Sequence, residues 1–218
     1  MKQITALVSL LFLAAVAPTA QAPRPAAPPA ATKPRLVVLI SVDQMRGDYV
    51  DRFRHQWSKG LHRLVNEGAW FRQADYPYYT TVTCAGHASI STGTVPAVHG
   101  MVANSWAVQN NSRTVNCTDD DSQKLIAYGA PVTGVAQSAA NLMSPTLADE
   151  MRSQTWPPAR VIGISLKARS AINLSGHKPD AVIWLDEREG GWVTSTAFAK
   201  TTAPFFADYI AKSYGFGG

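Results

Sequence analysis

The stretch YYTTVTCAGHASISTG, residues 78–93, is the segment around which we expect this chain to be organised. Its first half is rich in hydroxyl groups, and CAGHASIS has the small residues of a helix that packs closely against its neighbours. A hydroxyl at a loop-to-helix junction lies where the helix dipole and free backbone N–H groups favour negative charge. Two interpretations stay open on these residues alone: a threonine that caps the helix, or a nucleophile that accepts a phosphoryl group.

The segments around this stretch alternate between strand-like and helix-like patterns. Residues 35–42 (RLVVLISV), 160–166 (RVIGISL) and 181–185 (AVIWL) are apolar, β-branched runs, typical of strands buried on both faces of a parallel sheet. Amphipathic or capped segments predict helices at residues 60–67, 144–151 and 204–212. This alternation predicts an α/β fold, a three-layer sandwich around a largely parallel sheet.

The N-terminus has the pattern of an export signal. Lys2 precedes an apolar run at residues 4–16, and Ala20-Gln21-Ala22 fits a small-x-small cleavage site. We expect a signal peptide at residues 1–22, a Pro/Ala linker at 23–34, and a domain at 35–218. The run is short for a bilayer span, so we expect no stable membrane anchor, although an anchor is the alternative. The protein is expected to be periplasmic or secreted.

The charge of the chain indicates which partners to expect. The formal net charge is +5 without a lysine or arginine run, and the sequence pI is about 9.3. No basic stripe with interleaved aromatic residues is present, so nucleic acid is not an expected partner, whereas small anionic substrates suit this charge.

Cys84 and Cys117 are the two cysteines. In an oxidising compartment they form either a disulfide or two buried thiols, and the residues leave both open.

Polar residues follow the apolar runs where a shared sheet edge would bring them together. Asp43 comes directly after the first run, Thr83 lies in the hydroxyl-rich loop, and Lys167 with Arg169 follows the run at residues 160–166. Ligands of open α/β sheets bind at the carboxyl ends of the strands. On an extended backbone Lys167 and Arg169 would point to the same side and offer a phosphate a point charge and a bidentate fork. Two exposed cations are the alternative.

Five sequence segments, taken together, resemble one family. They are VVLISVDQMRGDY (37–49), TVTCAGHASISTGTVPAVHG (81–100), MVANSW (101–106), ISLKARSA (164–171) and HKPDAVIWLDEREGGWVTST (177–196). Their order and spacing resemble the alkaline phosphatase superfamily, in the branch of the type I phosphodiesterases and nucleotide pyrophosphatases. Within that branch the chain is similar to the bacterial alkaline phosphatases that use threonine rather than serine. The resemblance extends over nearly everything from Arg35 onward.

The resemblance implies a role for each matched residue. Asp43 matches the first metal-binding aspartate, and Thr83 matches the nucleophile, which is also a metal ligand. Asn104, 21 residues after Thr83, matches an asparagine that donates to a phosphate oxygen. Lys167 and Arg169 match a pair that binds phosphate monoesters and that the diesterases lack. These roles imply a hydrolase of small-molecule phosphate monoesters that uses two Zn²⁺ ions and a phosphothreonine intermediate.

Neighbouring residues of the nucleophile segment are expected to be structural. Thr80 and Thr81 would build the loop before Thr83. His87 would be a helix residue rather than a ligand, and His99 a turn residue.

The family's remaining zinc ligands have no counterpart in this sequence. They belong to Asp-x-x-x-His and Asp-His motifs and a late histidine, whereas this chain has no Asp-His dipeptide, and His177 after Arg169 fits none of them. We therefore expect the N-terminal part of an alkaline phosphatase-like domain, with the remaining ligands outside this chain and weak or no activity by itself. A phosphodiesterase or nucleotide pyrophosphatase and a non-catalytic phosphate-binding fragment remain the alternatives.

Overall fold

The structure is a computed structural model that describes residues 34–108, 113–129, 131–186 and 190–214. The chain divides into two units, residues 1–40 and 41–218. In the first unit, described residues 34–40 are exposed and form neither helix nor strand. The signal peptide expected at residues 1–22 and nearly all of the linker lie outside the described residues. Among the described helices, none has the length and apolar character to cross a bilayer.

The second unit alternates between helices and strands. Its described helices are α1 (Tyr49–Arg52), α2 (Gly60–Glu67), α3 (Thr83–Thr92), α4 (Pro96–His99), α5 (Leu147–Gln154), α6 (Ala168–Ser175) and α7 (Pro204–Tyr214), with a 3₁₀ turn at Arg54–Gln56. Its described strands are β1 (Ser105–Val108), β2 (Arg113–Asn116), β3 (Leu125–Ala127), β4 (Ile162–Ser165), β5 (Ala181–Leu185) and β6 (Trp192–Ser195). β1 and β2 form an antiparallel pair. The other four strands form a mixed sheet in the order β3-β6-β5-β4, in which β4 and β5 are parallel.

Helices cover both faces of this sheet at β5. Ala181 and Ile183 pack with Phe206 of α7. Val182 and Trp184 belong to a separate cluster that includes side chains of α3 and α6. Because successive side chains of a strand point to opposite faces, β5 separates two helical layers. This arrangement, together with the structural neighbours described below, confirms the predicted α/β sandwich class.

Two apolar runs predicted to be buried strands are exposed. Residues 35–42 form no strand in the structure, and Leu36 is 78% exposed. The run at residues 160–166 does contain β4, but β4 is an edge strand whose Ile162 and Ile164 are each 52% exposed. An apolar run is buried on both faces only when neighbouring strands and covering helices are supplied from elsewhere in the chain. Of the three predicted apolar runs, β5, which has a neighbouring strand on each side, is the one that is buried as expected.

The N-terminal cap of α5 holds a partly buried cluster of hydrogen-bonded side chains. The Thr146 hydroxyl accepts from Asp149 N at 3.1 Å, and the Asp149 carboxylate accepts from Thr146 N at 2.9 Å and from His177 Nδ1 at 2.8 Å. Gly176, at φ 76°, approaches this carboxylate so closely that a Cβ atom would overlap it. The helix therefore begins later than the start predicted at Ser144, because the hydroxyl of Thr146 completes the capping box with Asp149.

We expect the Asp149→Asn variant to be less stable at neutral pH and less sensitive to acid. Burial by itself raises the pKa of Asp149, but hydrogen bonds from Thr146 and His177 outweigh it and hold this pKa below its ordinary value. The resulting stability is present above the unfolded pKa of about 3.9 and is lost as the pH falls through the lower folded pKa. The variant should lose about 2 kcal/mol of unfolding free energy at pH 7.

Urea unfolding at pH 7, 4 and 3 measures this effect. Glu150→Gln, an exposed acid-to-amide change on the same helix, is the matched control and should behave as the wild type. An unchanged acid slope in Asp149→Asn would contradict the prediction.

Candidate active site

Thr83 is the first residue of α3, and its hydroxyl faces a carboxylate. The N-cap position is held by Val82, which is extended and has no capping side chain. The Thr83 hydroxyl donates to Oδ2 of Asp43 at 3.1 Å. The helix behind it is the closely packed small-residue helix that the sequence predicts, with nearly every side chain from Cys84 onward buried. The hydroxyl thus donates to Asp43 and does not cap the helix.

Asp43 lies in a tight turn that directs its carboxylate toward α3. Met45 N donates to the Val42 carbonyl at 3.4 Å. Gln44 has a φ of 62°, in the left-handed region that side-chain-bearing residues rarely adopt and that costs about 1–3 kcal/mol. The chain therefore changes direction directly after Asp43, and the carboxylate stays accessible to solvent.

Asn104 is held by both cysteines of a disulfide. Cys84 and Cys117 are bonded to each other and fully buried. The Asn104 backbone carbonyl accepts from Cys117 N at 2.9 Å. Its side-chain Oδ1 accepts from Cys84 N, also at 2.9 Å. Since Oδ1 faces Cys84, the amide is oriented with its two Nδ2 protons on the other side. Asn104 Oδ1 is thus hydrogen-bonded to the residue that directly follows Thr83.

Lys167 and Arg169 lie at the start of α6 and line a cavity of about 280 Å³. The cavity also has a polar wall that includes Asp119 and Gln137. Arg169 Nε is buried and has no hydrogen-bond partner among the described residues. A buried guanidinium nitrogen without a partner is costly, so this nitrogen suits an anionic ligand.

The arrangement of this pair differs from the expected one. Lys167 is extended and is the N-cap of α6, whereas Arg169 lies inside the first helical turn. The two side chains therefore do not follow one extended backbone, because the helix starts at the residue between them. A helix start offers free N–H groups as well as the two cations.

The structure places the five predicted site residues at the starts of two packed helices. Thr83, Asp43 and Asn104 surround the start of α3, and Lys167 with Arg169 the start of α6. The helices pack together, and Ser91 Oγ of α3 donates to the carbonyl of Asn173 in α6 at 2.6 Å. The residues that line the 280 Å³ cavity include neither Thr83, Asp43 nor Asn104.

Tyr76 and Tyr78, which precede α3 in the chain, make contacts with this helix that were not predicted. Tyr78 Oη lies 2.7 Å from Ser89 Oγ and 3.2 Å from the Ala85 carbonyl. Tyr76 Oη lies 3.4 Å from the Gly86 carbonyl. Burial, followed by the charges of Tyr78 and Asp43, raises the pKa of Tyr76. The Tyr76 phenol donates to the Gly86 carbonyl.

Sequence reasoning also missed a bridge between the Asp43 turn and α3. His87 Nδ1 lies 2.8 Å from the Thr83 carbonyl, and His87 Nε2 lies 3.2 Å from Ser41 Oγ. A signal for this bridge exists in the sequence, since His87 is four residues after Thr83 and Ser41 two residues before Asp43. Residues four apart share one face of a helix.

Asp43 and Thr83 fit a zinc ion as two of its ligands. Two oxygen ligands of a tetrahedral zinc ion lie roughly 3.3 Å apart, given Zn–O distances of about 2.0 Å. The observed separation of Thr83 Oγ1 and Asp43 Oδ2 is 3.1 Å. A cluster of three or more His, Cys, Asp or Glu side chains suited to a metal is absent from the ranges that the structure describes. A zinc ion held by this pair would need further ligands.

Comparison with protein families decides the relationship. The model of the type I phosphodiesterase / nucleotide pyrophosphatase family matches residues 37–216. The chain belongs to this family. The resemblance to this branch of the alkaline phosphatase superfamily, inferred from the five sequence segments, is thereby confirmed.

Relatives in this family include alkaline phosphatases. A protein of Myroides odoratus named calcium-transporting ATPase is 40% identical over 169 residues, which are 77% of this chain and 30% of the relative. Alkaline phosphatase PafA of Elizabethkingia meningoseptica is 36% identical over 186 residues, 84% of this chain and 34% of the relative. The chain spans about a third of the length of these curated relatives.

A solved structure of PafA has the same fold. It matches with a TM-score of 0.74 and 32% identity, over 79% of this chain and 34% of that one. The crystallised PafA is a variant in which a threonine, an asparagine, a lysine and an arginine are substituted.

Proposed function

We propose that these residues form part of an exported, metal-dependent phosphate monoester hydrolase that works through a phosphothreonine intermediate. The observation that carries the proposal is the 3.1 Å contact between the Thr83 hydroxyl and the Asp43 carboxylate at the start of α3. A hydroxyl at a helix N-terminus, beside a carboxylate that suits a metal ion, is placed to take up a phosphoryl group. Export is supported by the N-terminal pattern of the sequence and by the disulfide, which persists in oxidising compartments.

The PafA variant supports the choice of residues. Its four substituted residues have the same types and order as Thr83, Asn104, Lys167 and Arg169. The threonine and asparagine are 21 positions apart, and the lysine and arginine two apart, in both proteins. A set of four side chains that recurs with this spacing is what one phosphate-binding site would need.

The chemistry divides among the chain's own groups. The Thr83 hydroxyl loses its proton as Oγ1 bonds to phosphorus and the bond to the ester oxygen breaks. The alcohol leaves with that electron pair and takes up a proton, so that none is gained or lost overall. Water then attacks phosphorus, so that inorganic phosphate leaves and the Thr83 hydroxyl is restored. Asn104 Nδ2, Lys167 and Arg169 donate to the phosphoryl oxygens, which carry charge through the loose transition state. Bound zinc, held in part by Asp43 and Thr83, would supply Lewis-acid activation of the hydroxyl.

Monoester preference is tested by the double variant Lys167→Ala/Arg169→Ala. The second charged oxygen of a monoester needs counter-charge that a diester does not. We therefore expect kcat/KM for p-nitrophenyl phosphate to fall by about 10³-fold and that for bis-p-nitrophenyl phosphate to change by less than about 10-fold. Since the chain spans a third of its relatives, activity is measured on the product of the complete reading frame, with Zn²⁺ added. ATP is the third compound to be assayed, because the Myroides relative is named an ATPase.

The matched control removes a lysine and an arginine elsewhere. Arg160→Ala/Lys178→Ala changes two exposed cations near the ends of β4 and α6 and should leave both activities unchanged. A wild type that prefers the diester, with the Lys167/Arg169 variant unaffected, would favour the phosphodiesterase or nucleotide pyrophosphatase alternative.

A further inference from the structure

His87 is a buried histidine whose two ring nitrogens reach two different segments of the candidate site. It is 4% exposed and lies in the second turn of α3. Nδ1 is 2.8 Å from the carbonyl of Thr83, and Nε2 is 3.2 Å from the hydroxyl of Ser41. Thr83 carries the proposed nucleophile, and Ser41 precedes Asp43 by two residues.

The chemistry of these partners fixes the roles of the ring. The Thr83 carbonyl only accepts, so Nδ1 carries a proton and donates to it. In the neutral ring Nε2 is then without a proton and accepts from the Ser41 hydroxyl. Each nitrogen therefore has a partner that matches it, and the ring is held in one orientation between the two segments.

The Asp43 turn depends on few contacts for its position. Residues 41–45 belong to no strand, and Gln44 is in the left-handed conformation. Among the described residues, two side-chain hydrogen bonds connect this turn to α3: Ser41 to His87, and Thr83 to Asp43. The second is between the proposed reacting groups themselves and must change during catalysis. The first is the contact that can keep the turn in place throughout.

We propose that His87 is a positioning residue, which sets the Asp43 carboxylate against the Thr83 hydroxyl by holding Ser41 and the Thr83 backbone together. The proposal rests on the proposed function of Thr83 and assigns His87 no contact with substrate. An error of about 1 Å in the placement of reacting groups costs up to about 10²-fold in rate. A bridge that fixes this placement therefore affects kcat rather than KM.

His99 provides a matched control within the same fold. It is also a fully buried histidine whose Nε2 binds a serine hydroxyl, that of Ser89, at 3.0 Å. Its Nδ1 accepts from Met101 N at 3.1 Å, and burial lowers its pKa. Ser89 and His99 thus reproduce the serine–histidine pair without touching Thr83 or Asp43. Their loss reports what a merely structural pair contributes.

Four single variants separate the two roles. Ser41→Ala and His87→Asn remove the bridge, and the asparagine keeps a donor at the position of Nδ1. We expect kcat for p-nitrophenyl phosphate to fall by about 10- to 10²-fold in both, with KM within about 2-fold of wild type. Ser89→Ala and His99→Asn should lower the melting temperature by at least as much as Ser41→Ala and His87→Asn do. They should change kcat by less than about 2-fold.

A double-mutant cycle and a binding measurement complete the test. If Ser41 and His87 act through one bond, Ser41→Ala/His87→Asn loses no more kcat than the worse single variant. Zinc affinity, measured by competition with a chelating dye, should also fall about 10-fold in Ser41→Ala but not in Ser89→Ala. Additive losses of kcat, or equal losses in the Ser89 and His99 variants, would overturn the positioning role. A wild type without phosphatase activity overturns the proposed function instead, and zinc affinity then still tests the bridge.

Discussion

Replacing Thr83 by alanine is expected to abolish phosphate ester hydrolysis while leaving the protein folded. The hydroxyl is the proposed nucleophile and contacts Asp43, so its loss removes the covalent step. Deletion of an activated nucleophile typically lowers kcat by about 10⁴- to 10⁶-fold. Thr83 is only partly buried, and its hydroxyl does not cap α3. The free energy of unfolding should therefore change by less than about 1 kcal/mol.

Two control variants sharpen this experiment. Thr83→Ser keeps a primary hydroxyl at the same position and should retain activity within about 10²-fold of the wild type. Thr81→Ala removes an exposed hydroxyl two residues earlier and should leave kcat unchanged. Acid-quenched wild type incubated with ³²P-labelled substrate should contain phosphothreonine, and Thr83→Ala should not. Undiminished turnover in Thr83→Ala would exclude the mechanism. Phosphate binding without any turnover or trapped phosphothreonine in the wild type would favour the non-catalytic alternative.

Removing the disulfide is expected to have the largest effect on stability. Cys84 and Cys117 are 33 residues apart in sequence and fully buried. Closing a loop of this length lowers the entropy of the unfolded chain by an amount worth about 3–4 kcal/mol. We expect Cys84→Ala/Cys117→Ala to lose about that much free energy of unfolding in urea. Activity should also fall, since Asn104 is held by the backbone of both cysteines.

The reduced wild type separates the bond from the sulfur atoms. Wild type refolded from urea with reductant retains both sulfurs but lacks the bond, and it should unfold at the same urea concentration as the double variant. If the reduced protein were as stable as the oxidised one, the loss in the double variant would come from truncated side chains. The constraint on the unfolded chain would then be refuted as its cause.

Local patterns predicted most of the secondary structure. The helix expected at residues 60–67 is α2, the strand at 181–185 is β5, and the helix at 204–212 lies within α7. These segments carry their own signals, such as Gly68 at the end of α2 and the apolar run of β5. Exposure was not predicted for residues 35–42 or for β4. Burial depends on which segments lie alongside, and apolar content does not specify that.

The candidate site, like the fold, was predicted only in part. Asp43, Thr83, Lys167 and Arg169 are candidates because of their residue types and their positions after apolar runs. Asn104 and the role of each residue are implied by the resemblance to the family. The choice between a disulfide and two thiols could not be made from the residues alone. The bridge from His87 to Ser41 and the orientation of the Asn104 amide were not predicted either.

The amino-acid sequence thus determined the family, most of the local helices and strands, and the candidate reactive groups, since each depends on neighbouring residues or on fixed spacings. Only the tertiary structure decided which of those groups touch. A contact of about 3 Å between residues 40 or more positions apart, such as Asp43 with Thr83 or Ser41 with His87, depends on how whole helices and turns pack. The free energy of that packing is a sum over many side chains, and no short stretch of the chain encodes it.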